Sequence, residues 1–263
     1  MTLNFAANLS FLFQDLPFEK RFQAAAKAGF KGCEFLFPYA FEPDQINDWL
    51  QEAGIELALF NLSPGNWDEG ERGLAALKGR QREFFDSLDQ AIEYANVIGC
   101  KRLHIMAGCV GDDIHKSARK TYIDNLSFAA DKLQSTNIIG LIEPINPSDM
   151  PGYFLNDVTE ALDILDEVGA TNLKLQYDCY HRAMVGKDIV EGINLAGDKL
   201  AHIQIAGYPG RNEPYSGSLD YTPIFNRLIE LKYDGWIGCE YHPLTDTISG
   251  LEHDRFRLNQ SET

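Results

Sequence analysis

The sequence predicts an α/β protein with the (β/α)8 TIM-barrel architecture. Three observations carry this expectation. Eight β-rich runs alternate with amphipathic runs of helical period. Eight units in 263 residues allow about 33 residues each, the size of one strand–helix unit. The segments that follow strands three, five and seven are long and polar, whereas those that enter strands are short. A barrel needs that asymmetry to build a site at one end. A doubly wound open sheet is the competing architecture.

The strands are expected at Asn4–Leu9, Gly32–Leu36, Ile55–Leu62, Arg102–Met106, Ile138–Glu143, Leu173–Asp178, Ala201–Ile205 and Trp236–Glu240. Pro17 opens the first helix, with Phe18, Phe22 and Ala25 on one face. Ile46, Trp49, Leu50 and Ala53 mark the second, and Phe84, Leu88, Ala91, Ile92, Ala95 and Ile98 the third. Tyr122, Ile123, Leu126, Ala130 and Leu133 mark the fourth; Val158, Ala161, Leu162, Leu165 and Val168 mark the fifth. A weak sixth lies at Ile189–Ala196, a seventh around Ile224, Leu228 and Leu231, and a short eighth after Gly250. The whole of 1–263 reads as one barrel domain with a polar tail at about 258–263. An internal echo supports the barrel: Gly29-Phe30-Lys31-Gly32-Cys33-Glu34-Phe35 matches Gly235-Trp236-Ile237-Gly238-Cys239-Glu240-Tyr241, 206 residues later. Six units of about 34 residues give that spacing, making the copies strands two and eight.

Charge narrows the partners. A surplus of 16 negative charges repels nucleic-acid phosphates and anionic membrane faces. Five cysteines without a CxxC pair fit reduced thiols, and neither a signal peptide nor a membrane-spanning run is legible. A cytoplasmic protein without nucleic-acid or membrane partners is the expectation; a homo-oligomer is left open.

Four successive strand ends carry side chains able to bind a metal: Glu143, Asp178, Gln204 and Glu240, separated by 35, 26 and 36 residues. Adjacent strands lie about 4.8 Å apart, so oxygen donors on neighbouring ends can converge on one ion. Three carboxylates and an amide oxygen suit Mg²⁺ or Mn²⁺. Buried strands rarely carry acids without such a reason, because an unpaired buried charge is costly. Alternation then turns Cys179 and Cys239 outward into the helix layer. With a cation holding adjacent carbonyl and hydroxyl oxygens, Glu143 can take a proton from one carbon while Glu240 serves its neighbour through an enediolate. His181, three residues past Asp178, is placed to bond a substrate hydroxyl or to cap a helix. Arg211 is placed to grip a substrate carboxylate in bidentate fashion. Asn61, Asn8 and Glu34 face the same rim, as substrate contacts or barrel-top hydrogen bonds, and His202 reads as a core histidine.

These residues fall in motifs that resemble the hydroxypyruvate isomerase family, within the xylose-isomerase-like barrels. The motifs are Phe5–Ser10, EFLFPY at Glu34–Tyr39, GERG at Gly70–Gly73, IEPIN at Ile142–Asn146, QYDCYH at Gln176–His181, HIQIAG at His202–Gly207 and Gly238–Tyr241. The resemblance implies Glu143 and Glu240 as paired proton donor and acceptor. It implies the quartet Glu143, Asp178, Gln204 and Glu240 as the metal site, and interconversion of hydroxypyruvate and tartronate semialdehyde as the activity, with a small hydroxy-oxo acid as substrate. LALFN at Leu57–Asn61 and HIMAG at His104–Gly108 are similar instead to the 2-oxo-tetronate isomerases. A ketose 3-epimerase on the same barrel is a further alternative, weakened by Gln204 where those enzymes usually carry histidine. Two departures stand out: Gly217-Ser218-Leu219-Asp220-Tyr221 in place of GEINY, and Glu240-Tyr241-His242-Pro243 in place of EYKP.

Overall fold

Eight parallel strands close into a ring in sequence order, from β1 (Asn4–Asn8), β2 (Gly32–Phe35), β3 (Glu56–Asn61) and β4 (Arg102–His104) to β5 (Ile139–Ile142), β6 (Leu173–Asp178), β7 (Leu200–Ile205) and β8 (Trp236–Cys239). This computed structural model describes residues 2–111 and 115–252, apart from the side chains of His115 and Glu252. The polar tail expected at 258–263 lies outside the described residues. The closed ring settles the choice against an open sheet.

Helices α1 (Phe18–Lys27), α2 (Pro43–Ala53), α3 (Gln81–Ile98), α4 (His115–Leu133) and α5 (Val158–Val168) follow the first strands. Helices α6 (Cys179–Met184), α7 (Ile189–Ala196), α8 (Thr222–Glu230) and α9 (Thr247–Glu252) complete the outer layer. Their starts are written locally. Glu42 and Gln45 form a reciprocal capping box before α2, with Pro43 as its first residue. Asp157 accepts the Thr159 and Glu160 amides at the start of α5. Each helix lays an apolar stripe on the barrel; in α3, Phe84, Leu88, Ala91, Ala95 and Ile98 are all buried. Cys179 and Cys239 are buried within this apolar layer, as alternation implied. All five cysteines are free thiols. No helix among the described residues is long and apolar enough to cross a membrane.

The two copies of the internal echo flank β1 in the same register. Ala6 pairs with Gly32 on one side and Gly238 on the other, and Ala7 with Cys33 and Cys239. The glycines do matching work. A Cβ on Gly32 would enter the Trp236 ring, and one on Gly238 would collide with the Glu34 carboxylate. Because β8 has no side chain at Gly238, Glu34 of β2 uses that space inside the barrel to reach Gln204 and His202 of β7. The upper interior is therefore polar, where a barrel of this kind is ordinarily filled by branched apolar layers.

Gly238→Ala should overpack this interior and lower unfolding free energy by about 1–3 kcal/mol. Denaturant unfolding, compared with the parent at constant m value, measures it; an unchanged midpoint would refute the packing account.

Candidate active site

The loops after the strands enclose a cavity of about 260 Å³ at the carboxyl end of the barrel. Its wall includes Glu143 just past β5, Glu240 just past β8, Asn61 at the end of β3, and Gln176, His181 and Arg211. Glu143, Asp178 and His181 each present one donor atom within 4.8 Å of the others, and all three are buried.

Asp178 shows how the backbone shapes this group. It ends β6 and, without an intervening loop, caps α6: its Oδ1 accepts the Tyr180 amide at 2.7 Å and the His181 amide at 3.4 Å. Its Oδ2 is left buried with no hydrogen-bond partner. The same helix turn delivers His181, whose Nε2 lies 3.6 Å from Asp178 Oδ2 and 4.0 Å from Glu143 Oε1. Asn146, after β5, contacts His181 Nδ1 through its amide nitrogen at 2.7 Å. Its own oxygen is anchored by the Ser148 and Asp149 amides. Burial drives the His181 imidazole down to about 4, against the opposing pull of Asp178, so it is neutral; Asn146 donates to its Nδ1, which leaves the proton on Nε2, and ligation through Nε2 requires that proton to move to Nδ1.

Burial raises both Glu143 and Glu240 well above the usual carboxylate range. For Glu143, the charges of Glu240 and Asp178 raise it further; for Glu240, Arg211 opposes the shift and Asp178 adds to it. Two like charges about 4 Å apart at a partly screened site repel by about 4 kcal/mol. A crowded set of acids with an orphaned carboxylate oxygen and a neutral imidazole therefore fits a divalent cation.

The predicted residues do not all occupy the expected places. Gln204 is level with Asp178 in the β6–β7 register, but its amide nitrogen faces the acids. It donates to Glu240 Oε2 at 2.6 Å and Glu34 Oε1 at 2.9 Å, while its oxygen accepts from Gln176 at 2.7 Å. Two carboxylates attract the N–H groups, so the expected oxygen donor is turned away and His181 stands in the donor group instead. Glu240 lies outside that group and is gripped by Arg211 Nη2 at 2.5 Å. Glu34 is 1% exposed and sits beneath the cavity. It receives Asn8, Gln204 and His202, so it supports Glu240 through the two amides rather than facing a ligand. Arg211 reaches the site, but its guanidinium is committed: besides Glu240 it lies 3.6 Å from Asp178 and 3.8 Å from Asp149, between the Phe11 and Tyr180 rings. Its backbone is left-handed, with φ of 53°, a conformation uncommon outside glycine. The Arg211 and Gly207 amides are both bonded across the same loop.

Sequence reasoning missed His104, Gln176 and Asn146. His104 ends β4 with Nδ1 3.6 Å from Glu143 Oε2, and burial drives it down to about 3. The available signal was positional: His104 and Gln176 are polar residues at barrel-strand positions.

The xylose isomerase-like TIM barrel family model matches residues 22–255. A 2-oxo-tetronate isomerase from Cupriavidus necator is 48% identical over 248 residues, covering 94% of this chain and 95% of the relative. The hydroxypyruvate isomerase of Escherichia coli is 41% identical over 254 residues, covering 95% and 97%. The chain belongs to the hydroxypyruvate isomerase family of xylose isomerase-like barrels. It is an isomerase of that family. A crystal structure titled AP endonuclease, family 2, from Brucella melitensis superposes with a TM-score of 0.93 at 43% identity, covering 95% of this chain and 96% of that one.

The departures from the hydroxypyruvate isomerase pattern lie off the cavity wall. Ser218 is exposed and folds onto the Tyr208 carbonyl. His242 is exposed and stacks on Phe11 with ring centres 4.7 Å apart.

In this isomerase, Asn146→Ala should free the His181 ring and weaken Mn²⁺ binding about 10–100-fold. Calorimetric titration with Mn²⁺ measures this, and an unchanged affinity would remove Asn146 from the site.

Proposed function

We propose that this isomerase is divalent-metal-dependent and interconverts hydroxypyruvate and tartronate semialdehyde. The observation that carries the reading is the single small cavity that holds Glu143 and Glu240 beside the Asp178–His181 donor pair. Glu143, Asp178 and His181 would hold the cation. Glu240 and Gln204, the further donors expected from strand order, would join the set only with the Gln204 amide turned to present its oxygen. A set rich in oxygen with one imidazole suits Mn²⁺ or Mg²⁺. Such an ion supplies Lewis-acid polarisation of the carbonyl, which acidifies the adjacent C–H.

The chain's own groups then move the proton. Glu143, as the carboxylate, takes a proton from C3 of hydroxypyruvate. Glu240, oriented by Arg211, Asn8 and Gln204, starts protonated and gives its proton to C2; transfer of the captured proton from Glu143 back to Glu240 restores the pair. A hydroxyl proton passes from O3 to O2, so the enediolate collapses to the aldehyde with no atom gained or lost.

A second reading, with a 2-oxo-tetronate as substrate, is favoured by the 48% identity to the Cupriavidus necator relative of that name. It uses the same proton transfer on a chain one carbon longer. A nuclease reading has less support, since the net charge is −16 and the cavity wall carries Glu143, Asp149 and Glu240.

Glu143→Gln should lower turnover about 10²–10⁴-fold while leaving the unfolding midpoint in place. Activity equal to the parent would end the assignment. Metal removal by EDTA should abolish turnover and added Mn²⁺ or Mg²⁺ restore it; a verified metal-free enzyme with full activity would eliminate the ion. Proton NMR in D₂O, offering hydroxypyruvate, a 2-oxo-tetronate and ketoses in parallel, separates the substrate readings by which carbon acquires deuterium.

A further inference from the structure

Across the cavity from the acids stands a second arginine, Arg72 of the GERG motif, to which neither the motif reading nor the proton transfer gives a role. Arg72 lies on the loop after β3, whereas Glu143, Asp178 and Glu240 follow β5, β6 and β8. In a ring of eight strands, β3 is diametrically opposite β7, which lies within that acidic arc. Both sides line the same cavity, and Phe11, Leu36, Met106, Ile145 and Met150 supply apolar wall.

Arg72 is held in place by the protein and left without an acidic partner. Its guanidinium stacks on the Trp67 ring with the central carbon 3.8 Å from the ring centre. Trp67 packs on Phe37 in turn, at 5.1 Å. Nη1 donates to the Trp67 and Glu71 carbonyls at 2.9 and 2.8 Å. Among the described residues, Nε and Nη2 have no protein acceptor and no carboxylate pairs with Arg72. The adjacent acid, Glu71, is instead engaged by Arg80 and the Asn66 amide. The backbone beside Arg72 is also pinned. Gly73 bridges Ala107, and its close approach tolerates no side chain: a Cβ there would meet the Met106 carbonyl, and one on Gly108 would meet the Gly73 carbonyl. A planar, stacked cation with unpaired N–H groups in the wall of a small cavity suits a carboxylate. Arg211, by contrast, hydrogen-bonds Glu240 and lies 3.6 and 3.8 Å from two further acids, although its buried Nε has no partner.

We infer that Arg72 binds the substrate's carboxylate and thereby selects small oxo acids over neutral ketoses, while Arg211 serves the acid–base end. The inference rests on the hydroxy-oxo acid reading above. It fixes the substrate's direction: the carboxylate points to the β3 side, and the carbons that exchange protons point to Glu143 and Glu240. Like charges are thereby kept apart within one cavity.

The test uses the metal-loaded enzyme and L-lactate, a small hydroxy acid that lacks the reacting carbonyl. Arg72→Gln should weaken lactate binding by calorimetry and raise KM for hydroxypyruvate by about 10–100-fold, with a much smaller change in kcat. Arg211→Gln should lower kcat and leave lactate binding near the parent value. The reverse pattern, with lactate lost in Arg211→Gln and retained in Arg72→Gln, overturns the inference. Should Arg72→Gln fail to fold, Arg72→Lys carries the test: it keeps the charge and loses the planar fork, so lactate must bind more weakly than to the parent. Unchanged lactate affinity in Arg72→Lys overturns the inference in that case. A parent enzyme that binds lactate through Arg72 but exchanges no proton of hydroxypyruvate or a 2-oxo-tetronate sinks the isomerase reading and leaves the carboxylate receptor standing. Exchange by the parent with unaltered KM in Arg72→Gln removes the receptor alone.

Discussion

Enclosing Glu34, Glu143, Asp178 and Glu240 in one barrel mouth sets the electrostatic problem around which this structure is organised. All four are buried, and isolated buried carboxylates cost several kcal/mol each even after the protein relaxes. Each is compensated differently. Glu34 takes His202 and two amides, and Glu240 takes Arg211, Asn8 and Gln204. Asp178 spends one oxygen on a helix cap and keeps the other free. Glu143 has two neutral imidazoles at 3.6 and 4.0 Å and, among the described residues, no cation paired with it. The least compensated atoms, on Asp178 and Glu143, are those that converge with His181.

That constraint reaches into the barrel's packing. Glu34 can lie under Glu240 only because β8 carries glycine at Gly238, in register with Gln204. The polar interior is thus a scaffold for the rim: amides from β1 and β7 tie the carboxylate of β2 to that of β8. Arg211 gains its position through the loop after β7, which turns back on itself and bonds to the residues following β8. The two arginines divide the cavity. One is turned to the protein's acids; the other has an aromatic seat and, among the described residues, no acidic partner. An acidic molecule can in this way admit an acidic substrate.

Much of the fold was legible because strands and helices carry their own periodicity. The eight strands, the echo of strands two and eight and the asymmetry of the loops all appear where expected. Helix α6 did not, because it is six residues long and its cap, Asp178, reads equally as a strand end. The site was legible as a set of strand-end acids, which is why Glu143, Asp178 and Glu240 were found. His104 and Gln176 were not, since one polar residue in an apolar run carries no sign of which face it takes.

The sequence alone determined the architecture, the acids at successive strand ends and the family, because chain order in a barrel maps directly onto position around its rim. Only the tertiary structure decided which donors converge. Side chains from β1, β2, β7 and β8 compete for the same hydrogen bonds, and that competition turns the Gln204 amide toward the acids, sinks Glu34 below the cavity and commits Arg211 to Glu240. It also decided that Arg72, distant along the chain from every acid in the site, faces them across the mouth. Contacts between strands that are neighbours in space but far apart in sequence leave no local pattern to read.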